Sequence, residues 1–203
     1  MIAASFRTDR RKLLGCALVA LLLVGFGWAT HERSAAQSAE GGDTTTRVSI
    51  GSDGAQANDE SSHPALSADG RYVAFDSQVS NLVAGDTNGA QDIFVHDRQT
   101  GETRRVSVAT NISQGDGDSS HPALSADGRY VAFVSAAANL AADDTSGRDD
   151  IFVHDRQNRR TVRVSVTDAG GQGVEWGGAA NPAISANGRF VAFDMDGTLV
   201  NSS

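Results

Sequence analysis

The fifteen residues SSHPALSADGRYVAF occupy positions 61–75 and recur without a change at 119–133. A copy of that length implies the same structural unit built twice, and units too small to bury their own apolar faces must shelter one another. Overlaying 61–108 on 119–166 gives 35 identical positions out of 48, and 9 of the 13 differences fall between residues 76 and 91. A third copy, NPAISANGRFVAF, covers 181–193 of the 203 residues.

Within one unit, residues 64–67 (PALS) read as a short strand. Asp69 and Gly70 form a tight turn, because glycine accepts positive φ and an aspartate can bond its own backbone. The β-branched and aromatic run 71–77 (RYVAFDS) reads as a second strand. A loop over 81–89 leads to a third, 92–97 (DIFVHD), and a turn at 99–101 to a fourth, 103–108 (TRRVSV). In the fourth, Val106 and Val108 alternate with Arg105 and Ser107, as where one side of a sheet meets water. No segment beyond residue 36 has an apolar period of 3.6 over three turns, so the body is all-β.

Four antiparallel strands repeated with a polar connector are the sequence image of a propeller blade. The expected architecture is a partial β-propeller of about two full four-stranded blades, 61–110 and 119–168, with a partial third over 179–203. Residues 46–50 match the fourth strand of a preceding blade. The candidate core is Leu66, Val73, Phe75, Ile93 and Val95, with Leu124, Val131, Phe133, Ile151 and Val153 in the second copy. Three blades at most, one incomplete, fall short of the four or more of a closed ring. The expectations are a truncated chain or a ring completed between chains.

Ahead of this body, Arg7, Arg10, Arg11 and Lys12 precede an uncharged apolar run over 13–29, the order of a secretory signal or of a membrane anchor helix. Residues 1–36 are read as that targeting segment, with cleavage after Ala29 or after Ala36, and 37–45 as a linker. Residues 10–14 (RRKLL) resemble a twin-arginine export signal. The body is therefore expected outside the cytoplasm, periplasmic or secreted, with membrane contact only through the amino-terminal segment. The only cysteine, Cys16, lies inside that run, so the body has no thiol for a disulfide or a cysteine-ligated metal. Beyond residue 36 the chain carries 12 basic against 23 acidic residues, a net charge of −11, which disfavours nucleic acid.

PALSADGRYVAF followed by DRQTGxxxRVS resembles the TolB-type, WD-repeat-like propeller units of bacterial secreted and periplasmic proteins, over residues 44 to about 194. The usual Ser-Pro-Asp-Gly turn of that family appears here as Ser-Ala-Asp-Gly and, in the third copy, Ser-Ala-Asn-Gly. The resemblance implies a docking platform, a ligand binder, or the non-catalytic domain of a peptidase.

Several constellations invite a chemical reading. Residues 193–202 (FDMDGTLVNS) resemble the first motif of haloacid-dehalogenase-type phosphatases, which would make Asp194 a nucleophile and Asp196 an acid and base. Against it, Phe193-Asp194 is the counterpart of Phe75-Asp76, and the body lacks lysine. Asp86, Asn88 and Asp92, matched by Asp144, Ser146 and Asp150, space oxygen donors as calcium loops do. Ala90 and Arg148 interrupt that donor set, so the competing reading is a capped turn with Asp92 fixing the strand start. The recurring pairs His63 with His121 and His96 with His154 suit metal binding or hydrogen bonding across strands. Arg159 and Arg160, near Arg156 and Arg163, form a basic cluster where the first copy has Gly101 and Glu102, read as a solvated turn. Acidic loops at Asp116, Asp118, Asp143 and Asp144 are expected to face partners, and Trp176 either packs on the next blade or meets a partner. No residue is assigned a catalytic, cofactor-binding or metal-ligating role. The reading is an exported non-catalytic binding or scaffold module with a protein or small ligand as partner. A calcium-binding propeller and a peptidase accessory stand as alternatives.

Overall fold

The computed structural model describes residues 3–6, 44–142, 144, 147–166 and 178–195. The apolar run at 13–29, both cleavage positions, Asp143, Ser146, Trp176 and Asp196 lie outside them. Among the described residues there is no helix. Two strands, β1 (Ala3–Phe6) and β2 (Thr44–Arg47), form a small sheet by themselves.

The repeats form two four-stranded antiparallel meanders. The first is β3 (Ser61–Leu66), β4 (Tyr72–Ser77), β5 (Asp92–Asp97) and β6 (Glu102–Arg105), hydrogen-bonded in that order. The second, β7 (Ser119–Leu124), β8 (Tyr130–Ser135), β9 (Asp150–Asp155) and β10 (Arg160–Arg163), repeats the order. The third copy contributes β11 (Ala179–Ile184) paired with β12 (Val191–Met195).

The central strands are apolar on both faces because each meander is covered on both. Successive side chains of a strand point to opposite sides. Ala74, Ile93, Val95 and Val106 of the first meander therefore meet Val131, Phe133, Leu140 and Phe152 of the second in one buried cluster. From the other face of the second meander, Val134 and Ile151 pack with Ala179 of the third copy, against which Val191 and Phe193 lean. Full burial of Phe133 or Phe152 contributes about 2–3 kcal/mol. The units thus shelter each other, as the repeat requires.

Three expectations change. Leu66, read as core, is 50% exposed, whereas its counterpart Leu124 packs against the cluster between the meanders. The first strand of each unit carries a bulge: register shifts between Ser62 and Ala65 and again between Ser120 and Ala123, with His63 and His121 at positive φ. The fourth strand ends at Arg105, and the next residues turn inward, so Val106 and Ser107 are buried instead of alternating with solvent. The reason is Ser107, whose hydroxyl donates to Asp92 (2.6 Å) and accepts the Ile93 N–H (3.0 Å). The same holds at 46–50: Val48 and Ser49 lie outside any strand and Ile50 makes an isolated bridge to Gln56, as Val108 does to Gln114.

Candidate functional site

The Asp-Gly turns are built from side chain to backbone. The Ser67 hydroxyl donates to Asp69 Oδ1 (2.6 Å), which also accepts the Arg71 N–H (3.0 Å). Ser125 with Asp127 and Ser185 with Asn187 repeat the arrangement, so the third copy's asparagine serves because only an acceptor oxygen is needed. Arg71 then clamps Asp97 through two bonds, Nε to Oδ1 (2.9 Å) and Nη2 to Oδ2 (2.7 Å), and Arg129 clamps Asp155 alike. Such bidentate pairs hold the carboxyls of Asp97 and Asp155 well below the usual carboxylate range.

His96 and His154 tie strand to strand and unit to unit. The Thr103 hydroxyl donates to the Ile50 carbonyl (2.5 Å), so its remaining role toward His96 Nδ1, 2.9 Å away, is acceptor, which fixes the Nδ1–H tautomer. Thr161 repeats this with the Val108 carbonyl and His154. Burial pushes both imidazoles down, His154 to about 4, and holds them neutral. The cross-strand reading of these histidines is the one the geometry supports.

The calcium-like loops already hold a cation. Arg105 Nη1 lies 2.9 Å from Asp86 and 3.0 Å from Asp92, with Gln114 Oε1 accepting at 2.8 Å. Asn88 donates to Asp92 and to the Gly115 carbonyl (3.0 Å each), which makes it a loop tie. In the second copy Arg163 sits 3.4 Å from Asp144 and 3.8 Å from Asp150. Asp144, expected on a partner-facing rim, is accordingly buried, while Asp116 and Asp118 are exposed.

His63 and His121 do come together, their rings 3.9 Å apart. Both bind Asp76: His63 through Nδ1 (2.8 Å), His121 through its backbone N–H (3.0 Å). Asp194, the nucleophile of the phosphatase reading, instead accepts a bond from Asn181 (2.8 Å) at the equivalent place in the third copy. Among the described residues no group of three or more His, Cys, Asp or Glu is arranged to hold a metal.

What sequence reasoning missed is a cleft of about 280 Å³ between the outer halves of the two full meanders. Tyr72, Arg104, Val108, Ile112, Arg156 and Arg159 contribute to its wall. The Arg156 guanidinium lies 4.3 Å from the Tyr72 ring centre and donates to the Gly128 carbonyl (2.7 Å). Burial pushes Arg156 below the usual arginine value, and the neighbouring Arg104 charge adds to that. Of the basic cluster expected in a solvated turn, Arg159 and Arg160 are exposed, whereas Arg156 is half-buried and Arg163 buried.

Two meanders stacked face to face, hydrogen-bonded strand by strand in chain order and followed by the start of a third, decide the architecture. The chain is built of β-propeller blades. No protein-family model matches it, and no curated protein does. Among solved structures it is similar to TolB from Acinetobacter baumannii, with 19% identity and a TM-score of 0.43 over 79% of this chain and 29% of that one. A putative TolB from Agrobacterium tumefaciens gives 20% identity and a TM-score of 0.45 over 68% and 39%. The β-propeller domain of the Trilobed protease from Pyrococcus furiosus gives 15% and 0.40 over 66% and 34%. The chain thus spans 29% and 39% of the two TolB structures.

Proposed function

We propose that this chain is an extracytoplasmic, non-catalytic propeller module that acts by binding. The observation that carries the reading is where its repeated reactive side chains are used. His96 and His154 are spent on threonine hydroxyls, Asp86 and Asp92 on Arg105, and Asp97 and Asp155 on arginine clamps. Nucleophilic catalysis needs a nucleophile within hydrogen-bond reach of a base that is free to take its proton. His96, His154 and these aspartates stand in joints between strands and blades instead, while the exposed His121, whose Nδ1 is 3.0 Å from the Ser120 hydroxyl, has its backbone N–H on Asp76. The basic Arg7, Arg10, Arg11 and Lys12 ahead of the apolar run at 13–29 support export. The test is a panel of chromogenic phosphate, ester and aminoacyl-anilide substrates with the full chain. No turnover above buffer is expected, and turnover abolished by Asp194→Asn would overturn the reading in favour of a phosphatase.

A further inference from the structure

We infer that the cleft between the two full blades is a binding site for a small amphipathic carboxylate with about the bulk of an N-acylated amino acid. The inference rests on the binding-module reading and gives it a place and a ligand chemistry.

The first observation is a paired departure between copies. Gly54 and Gly101 of the first copy sit at φ 83° and 78°, and a Cβ on either would meet nothing within 4 Å, so glycine answers there only to the backbone angle. Their counterparts in the second copy are Ile112 and Arg159, held at φ 68° and 53°. A β-branched residue at positive φ is strained, and strain of this kind gathers at ligand clamps. Neither substitution gains burial in return: Ile112 is 67% exposed and Arg159 is also exposed. Both side chains line this cleft.

The second observation is charge. The carboxylates at the cleft are engaged, Asp97 by Arg71 and Glu102 by Arg104 (2.7 Å each). Arg105 is held by Asp86 and Asp92. Among the described residues Arg156 has a carbonyl, an aromatic ring and the more distant charge of Asp97 but no carboxylate within ion-pair distance, and Arg159 makes no ion pair. Among the described residues two guanidinium groups at the cleft thus stand outside any ion pair, in a chain of net charge −8. Guanidinium groups take a carboxylate by charge-assisted bonds, and the apolar wall of Val106, Val108 and Ile112 takes its hydrocarbon part. An inorganic anion would leave Ile112 unused, and a neutral apolar molecule would leave the arginines unused.

The experiment is titration of the full chain, followed by calorimetry, with N-acetylleucine, its amide, inorganic phosphate, and an N-acetylated hexapeptide of uncharged side chains that ends in leucine with a free carboxyl group. Saturable binding of N-acetylleucine about tenfold tighter than of the amide or of phosphate is expected. The hexapeptide separates the two sources of such a group: equal or tighter binding with a free carboxyl end assigns a peptide terminus, weaker binding a free acid. Arg159→Gly, which restores the residue of the first copy, lowers affinity by about fivefold while the melting temperature holds or rises. No saturable binding up to about 10 mM, equal binding of acid and amide, or an unchanged Arg159→Gly affinity overturns the inference. Turnover is read in the same samples. Turnover sinks the non-catalytic reading, whereas failed binding without turnover sinks this inference alone.

Discussion

Arg105 shows how one side chain decides between two chemistries. Asp86, Asn88 and Asp92 have the spacing of cation ligands, and in the folded chain they do surround a cation, but it is a guanidinium supplied from β6. Arg105 is only 9% exposed and Asp92 not at all, so Arg105→Gln leaves two buried carboxylates without their partner. A loss of about 3–5 kcal/mol in urea unfolding is expected. The buried histidines predict the pH response. His154, held to about 4 by burial, takes a proton in the unfolded chain near pH 6.5 but not in the folded one. The contribution of the buried histidines is therefore level above about pH 7 and falls as pH drops toward 4, by up to about 1.4 kcal/mol per unit for each. Asp97 and Asp155, whose folded values are depressed by Arg71 and Arg129, hold their contribution above the unfolded value near 4 and lose it in stronger acid. His154→Asn, which keeps a donor for Thr161 without titrating, should flatten the slope between pH 6.5 and 4 in equilibrium unfolding.

At the scale of the element, local pattern was a sound guide where packing and propensity agreed. The run DIFVHD at 92–97 is β5 to the residue, and YVAFDS lies within the strand expected at 71–77. The fourth strand misleads because its alternation, Arg105 to Val108, looks like one wet face. Only the folded chain shows Ser107 turned inward onto Asp92. The bulge at His63 is equally silent, since what it serves is a bond to Asp76 thirteen residues on. The cleft was illegible for a further reason: its walls come from two copies, and the signal lay in comparing Gly54 with Ile112 and Gly101 with Arg159 as backbone angles. The Asp-Gly turn was legible, but one function of its glycine was not. A Cβ on Gly128 would overlap the Tyr72 ring of the preceding blade, and one on Gly188 would overlap Tyr130. Gly128→Ala should therefore cost clearly more than Gly101→Ala, where the space is open and the backbone angle alone costs about 1 kcal/mol. Paired thermal melts of the two variants measure the difference.

Across the whole molecule, identical residues carry unequal weight according to whether a neighbour covers them. Leu66 and Leu124 stand at the same place in an identical fifteen-residue stretch, yet the first is 50% exposed and the second packs between blades. Leu124→Ala should cost about 2 kcal/mol more than Leu66→Ala in chemical unfolding. Equal costs would mean that the two blades do not share the buried layer seen between them. Phe190, the third copy's counterpart of Tyr72 and Tyr130, is 68% exposed, whereas those two tyrosines are half-buried against the glycine turns of the following copies.

The joints at Thr103 and Thr161 end on main-chain carbonyls, Ile50 and Val108, and the turns meet through Ala68 N–H to Ala126 O and Ala126 N–H to Ala186 O (2.9 Å each). Fasteners made to backbone atoms do not care which side chain stands beside them. Drift in a linker leaves them intact, and a module spliced into the series would find the same hooks waiting on both flanks.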